Sequence, residues 1–216
     1  MRFSTITALD PIPRRKKWRM CVFDSGESAA VPAELVILQS LYIGKRISEE
    51  EFKKLASEAE LTNGKEAAFR LLAVRSHSEF EMKCKLRQRG IKATIIQAVI
   101  NDLKRLEFIN DEAFAAAFVQ NLLQRKPSGK LLIKAELRKK GIQESVIDRV
   151  IEKVFSEKNL IEMAESAARK WLASHSTRSE KEQAMRLGRY LYQRGFSWDV
   201  IEEVIGANSE FSGSEE

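Results

Sequence analysis

The feature that most constrains this chain is a short phrase that occurs three times. Arg89-Gly90-Ile91 returns as Lys140-Gly141-Ile142 and again as Arg194-Gly195-Phe196, at spacings of 51 and 54 residues. The flanks repeat with it. Downstream, Ile96, Val99 and Ile100 correspond to Ile147, Val150 and Ile151, then to Ile201, Val204 and Ile205. Upstream, Met82 and Leu86 correspond to Ile133 and Leu137, then to Leu187 and Leu191. Self-similarity at a fixed period means one supersecondary unit stacked several times.

The apolar positions recur at three- and four-residue intervals, the period of a helix face. Each unit therefore reads as three helices. In the second unit they are expected over about Asp111–Gln124, Ser128–Lys140 and Glu144–Phe155. The shared glycine follows a basic last turn. A left-handed residue there reverses the chain without a Cβ penalty, and the cations complement the negative helix end. Phe80, Met82, Cys84 and Leu86 alternate like a strand. Ser78 with Glu81 forms an N-terminal cap signal and the intervening residues are strong helix formers, so helix is the reading. The fold class is all-α: three tandem three-helix repeats forming an elongated curved array, preceded by a small extension.

That extension, residues 1–64, differs in character. Arg14, Arg15, Lys16 and Lys17 follow Pro11 and Pro13, and Trp18, Met20 and Val22 then alternate with Arg19, Cys21 and Phe23. The period-2 pattern, a turn at Asp24–Glu27 and a return arm through Val31 describe a small β-hairpin. Pro32 opens a helix to about Tyr42, and Ser48 with Glu51 is a capping box opening another. Asn63-Gly64 reads as a break. The repeats then occupy 65–110, 111–158 and 159–207, with a disordered acidic tail at 208–216.

A 44% hydrophobic content supports a sizeable core, and 31% charged residues suit helices with solvated faces. Cys21 and Cys84 lack metal or disulfide spacing, and no apolar run has the length of a signal-peptide core or a membrane span. A reduced cytoplasmic compartment is the expectation. The chemistry-bearing residues are sparse. His77 and His175 read as solvated loop residues, Cys84 as core filler, and Ser128-Gly129-Lys130 lacks the glycine spacing of a phosphate loop. Phe69, Leu72, Phe114, Phe118, Trp171 and Leu172 read as packing residues. No catalytic constellation, metal site or cofactor is expected.

Charge geometry is more informative. The net charge is +6 and the sequence pI about 9.3, which favours a polyanionic or acidic partner. Seven basic residues and one acid, Glu136, lie between Arg125 and Lys140. Lys130, Lys134 and Arg138 fall at i, i+4 and i+8, with Lys139 and Lys140 closing the helix. The first repeat offers Lys83, Lys85, Arg87 and Arg89, and the third Arg186, Arg189 and Arg194. Each cation alone is most simply a solvated surface residue; repetition would align them into one surface.

At this point a family resemblance appears. Leu72-x-x-Arg75-x-x-Ser78-x-x-Glu81-Met82-x-x-Lys85-Leu86-x-x-Arg89-Gly90 resembles the first repeat of the RecX regulators. Phe108-Ile109-Asn110-Asp111-x-x-Phe114-Ala115-x-x-Phe118-Val119 and Gly129-x-x-x-Ile133-x-x-Glu136-Leu137-x-x-Lys140-Gly141-Ile142 resemble the second, and Tyr190-Leu191-x-x-Arg194-Gly195-Phe196 the third. Asn121 and Leu123 depart from an arginine-richer helix end, and the extension matches loosely. The resemblance implies a monomeric, non-enzymatic protein of DNA repair, recombination and the SOS response. It would bind the groove of a RecA–single-strand DNA filament and inhibit recombinase, ATPase and co-protease activity. The contact residues would come from Lys83, Lys85, Arg87, Arg89, Arg125, Lys130, Lys134, Arg138, Lys139, Lys140, Arg189 and Arg194. The alternative is a basic helical protein that binds single- or double-stranded DNA directly.

Overall fold

A computed structural model describes the backbone of residues 3–155, 157–175 and 179–212, with side chains over the same ranges except 157–159 and 208–212. These residues form four strands and ten helices, grouped into two compact units. The first unit contains Met1–Arg75 and Met82–Phe108; the second contains Ser76–Glu81 and Ile109–Glu216.

In the first unit, β1 (Phe3–Ile12), β2 (Arg15–Phe23), β3 (Ser28–Pro32) and β4 (Arg46–Ser48) make one antiparallel sheet in the order β3-β2-β1-β4. The expected hairpin is β2–β3, with Trp18 opposite Pro32 and Val22 opposite Ser28. The sheet also includes β1, whose Pro11 gives no period-2 signal, and the three-residue β4. Extra strands supply what a lone hairpin lacks, a buried face. Ile6, Cys21, Phe23, Val31 and Leu55 form that core, and Phe23 meets Phe52 edge-on at 5.0 Å.

Helix α1 (Ala33–Leu38) starts after Pro32 as expected but stops four residues before Tyr42, where Ser40 turns left-handed at φ 46°. Helix α2 (Glu49–Leu72) begins with both halves of the Ser48–Glu51 capping box. It does not end at Asn63-Gly64. Gly64 is buried inside the helix, where an added Cβ would lie 3.0 Å from Val99 and 3.1 Å from Ile95. The glycine is there for close packing of α2 on α4 (Ala93–Arg105), and the helical hydrogen bonds continue through it.

The remaining helices follow the repeats: α3 (Glu79–Gln88), α5 (Asp111–Arg125), α6 (Lys130–Lys139), α7 (Glu144–Val154), α8 (Glu157–Leu172), α9 (Glu180–Gln193) and α10 (Trp198–Ser212). The expected second-repeat helices agree with α5, α6 and α7 within a few residues at their ends. The alternating Phe80–Leu86 stretch is helical, with Ser78 Oγ accepting from Glu81 N at 3.1 Å. In the second unit the corresponding repeat positions meet in one core. Ile133 with Leu137 and Leu187 with Leu191 pack with Ile147, Val150, Ile201 and Val204.

Four further expectations need correction. His77 is 3% exposed, because residues 76–81 are drawn into the second unit. Phe69 is 41% exposed, lying on the outer side of α2 beside Phe108. Cys84 is half-buried and adds little to the core, since Met82 and Leu86 hold the inward positions of α3. The disordered tail expected from 208 is helical as far as Ser212, and residues 213–216 lie outside the described range. His175 is exposed as expected, stacked on Trp171 at 4.6 Å.

Candidate partner-binding surface

The repeat glycines show how the sequence builds this region. Gly90, Gly141 and Gly195 all have positive φ, at 75°, 72° and 81°. In each, the residue after the glycine donates its amide back to the preceding helix, Ile142 to Leu137 and Phe196 to Leu191. Gly141 and Gly195 carry a second constraint. A Cβ on Gly141 would come within 2.3 Å of Phe80, and one on Gly195 within 2.2 Å of the Leu132 amide. The glycine closing one repeat's second helix thus sits against the start of the preceding repeat's second helix. Hydrogen bonds fasten the contact. Ser78 Oγ donates to the Lys140 carbonyl at 2.7 Å, while Gly129 N donates to the Arg194 carbonyl and Leu131 N to the Gly195 carbonyl, at 2.8 and 3.0 Å. Gly90 has nothing within 4 Å of its Cβ position.

Within the second unit, most of the expected cations of α6 meet acids. On α6, Lys134 donates to Asp148 at 2.7 Å, and Arg138 grips Glu144 with two hydrogen bonds, the longer 3.0 Å. The Arg138 guanidinium holds the Glu144 carboxyl below the usual carboxylate range, and Glu144 in turn raises Arg138. Lys139 pairs with Glu136 at 2.7 Å. Lys140 is held between Glu81, at 2.8 Å, and the Phe118 ring, 5.6 Å away. The stripe along α6 is therefore largely matched by acids that become neighbours only on folding. Lys130, half-buried, lies at the start of the same helix and helps lower the Asp199 carboxyl, behind the Ser197 hydroxyl.

Three arginines are open. Arg87, Arg125 and Arg189 are exposed, and among the described residues none of them makes an ion pair or hydrogen bond. Lys83 and Lys85 are half-buried on α3, and Arg89 is exposed with its guanidinium on the Lys85 carbonyl at 3.1 Å. Arg194 caps α9, its guanidinium 5.7 Å from the Tyr190 ring centre and its Nε buried without a hydrogen-bond partner. The three open arginines fall on α3, α5 and α9, while the cations of α6 and Arg186 of α9, 2.6 Å from Glu182, are largely paired.

Charge patterning alone does not find the exposed apolar residues nearby. Tyr192 and Trp198 are 53% and 58% exposed and stack at 5.7 Å, and Leu131 is half exposed. Their signal is position. Tyr192 directly follows the buried Leu191, so it leaves the inward face of α9. Among the described residues, no group of three or more His, Cys, Asp or Glu could hold a metal ion, and no helix is long and apolar enough to cross a membrane.

Family models match this chain in three consecutive pieces: the first RecX three-helix domain at residues 65–103, the second at 110–151 and the third at 157–205. The chain belongs to the RecX family. The Regulatory protein RecX of Clostridium acetobutylicum is 30% identical over 95% of this chain and 96% of its own length. That of Pelodictyon phaeoclathratiforme is 38% identical over 64% of this chain and 84% of its own. At 95% of this chain, the likeness to the Clostridium RecX reaches into the N-terminal sheet, so this segment is common ground with some relatives. A crystal structure of regulatory protein RecX superimposes with a TM-score of 0.73 over 93% of this chain and 98% of that one, at 23% identity. RecX from Lactobacillus salivarius gives 0.63 over 68% and 96%, at 27% identity.

Proposed function

We propose that this RecX protein binds a RecA–single-strand DNA filament along its groove and restrains strand exchange, ATP hydrolysis and co-protease activity. The observation that carries the reading is the ordered match of all three RecX three-helix domains. Serial units suit a polymer, because each can contact a successive protomer and linked weak contacts multiply into useful affinity. We take the units as 65–110, 111–158 and 159–207. Bridging adjacent protomers would oppose the rearrangements of nucleotide turnover, with no bond made or broken by RecX itself.

Within the cation set, the open residues Arg87, Arg125 and Arg189 are the strongest contacts, since binding through them disrupts no internal pair. Lys134 and Arg138 would first have to leave Asp148 and Glu144. Lys83, Lys85, Arg89, Lys130, Lys139, Lys140 and Arg194 complete the proposed surface.

The test is a RecA ATPase and strand-exchange titration. Inhibition at well below one RecX per protomer is expected, and the triple variant Arg87→Glu, Arg125→Glu, Arg189→Glu should relieve it with helicity unchanged. No inhibition at several-fold excess over RecA would overturn the reading.

A further inference from the structure

The N-terminal sheet carries a second cationic feature, which the repeats do not account for. A groove of about 660 Å³ opens beside the β1–β2 turn and α2, bordered by Arg14, Lys16, Lys17 and Arg70 and floored by Trp18 and Phe69. The basic run is not a loose arm. Its residues lie in or beside β2, where the pairing with β1 shifts register between Pro11 and Ile12, so that Lys16 and Lys17 sit in the irregularity.

Two neighbours hold the wall in place. Arg15 lies 3.8 Å over the Trp18 ring and donates to Asn63 at 2.9 Å. Trp18 Nε1 donates to both Glu66 oxygens, at 3.1 and 3.2 Å, and Arg15 lies 3.8 Å from the same carboxylate. Glu66 is the acid lining the groove, and it is occupied by that pair. Arg14, Lys16, Lys17 and Arg70 are exposed, and among the described residues none has a hydrogen bond or ion pair from its side chain. Beside them Phe69 is 41% exposed and Phe108 52% exposed, set edge-to-face at 5.3 Å.

We propose that this groove binds single-stranded nucleic acid, with phosphates on Arg14, Lys16, Lys17 and Arg70 and an unstacked base on Phe69. The four cations ask for an anion, and the ring decides which kind. A phenyl face is electron-rich: it accepts a nucleobase and repels a carboxylate, so an acidic peptide would gain nothing from Phe69. Stacked bases in a duplex offer no free face, whereas cations interleaved with exposed aromatics are the usual means of holding a single strand. The site belongs to the first unit, and it does not rest on filament binding by the repeats.

The experiment is fluorescence anisotropy of a labelled oligo-dT strand titrated with the full chain in the absence of RecA, at several salt concentrations. Lys16→Ala with Lys17→Ala should weaken binding and flatten the plot of log affinity against log salt by about 1.4, near 0.7 per lost phosphate contact on a single strand. Phe69→Ala should weaken binding about fivefold or more, with the salt slope unchanged. Arg70→Gln, a change at an exposed side chain, repeats the charge test if the double variant does not fold. Wild-type affinity in all these variants overturns the proposal. So does a surface that takes poly-glutamate as well as the strand and ignores Phe69→Ala, which would mark an acidic-peptide site. Because RecA is absent, failure here leaves the filament reading to its own assay.

Discussion

The Ser78 hydroxyl donates to the backbone carbonyl of Lys140, 62 residues further along the chain, at 2.7 Å. The same oxygen accepts the Glu81 amide, so one buried serine both caps α3 and ties it to the end of α6. The next joint reproduces the link with backbone alone, Gly129 N to the Arg194 carbonyl.

Ser78→Ala removes a cap and leaves the Lys140 carbonyl without this partner. The expected loss is about 1–3 kcal/mol, the range for a buried group left unsatisfied. Urea denaturation followed by circular dichroism measures it. A midpoint equal to wild type would mean that water replaces the hydroxyl at no cost.

The three repeat glycines should separate under substitution. Gly90→Ala meets no neighbour and should cost only the left-handed backbone penalty, about 1–2 kcal/mol. Gly141→Ala and Gly195→Ala bear the same penalty plus the collision with Phe80 or Leu132, so each should lose clearly more. Three equal losses in thermal or urea unfolding would show that the joints relax freely.

The two thiols should react at very different rates. Cys21 is fully buried in the sheet core, and burial pushes its thiol up to about 11, so little thiolate forms at neutral pH. Cys84 is half-buried on α3. A chromogenic disulfide reagent should titrate one thiol quickly in the native protein and the second only with unfolding. Two rapid equivalents would contradict the sheet.

Acid should weaken the α5–α7 contact through Glu112. Hydrogen bonds from Lys153 and then Arg149, at 2.9 and 3.0 Å, hold this carboxyl below the usual carboxylate range. A lowered folded-state pKa adds stability that is complete above the unfolded value, about 4.3, and disappears as pH falls through the lower folded value. Glu112→Gln should therefore flatten the loss of urea resistance below about pH 5 while changing little at pH 8 relative to neutral. The same pH dependence in both proteins would remove Glu112 from the acid response.

Much of the fold is legible in the sequence because its causes are local. The helix faces, the Ser48 and Ser78 caps and the glycine turns depend on residues within a few positions of one another, and the repeat multiplies each signal. Where the sequence misleads, a distant partner has changed the meaning of a local one. Gly64 reads as a break until α4 approaches it, and Phe69 reads as core until Phe108 is seen beside it at the surface.

The sequence by itself determined the repeat, the helical period and the RecX resemblance, since these reside in residue order and short-range geometry. Tertiary structure decided which cations remain available. Lys134 meets Asp148 and Arg138 meets Glu144 only when α6 and α7 pack, and the open cations of the first unit gather around Phe69 only when β2 lies against α2. Charge acts through space, and the spacing of residues along a chain does not fix those distances.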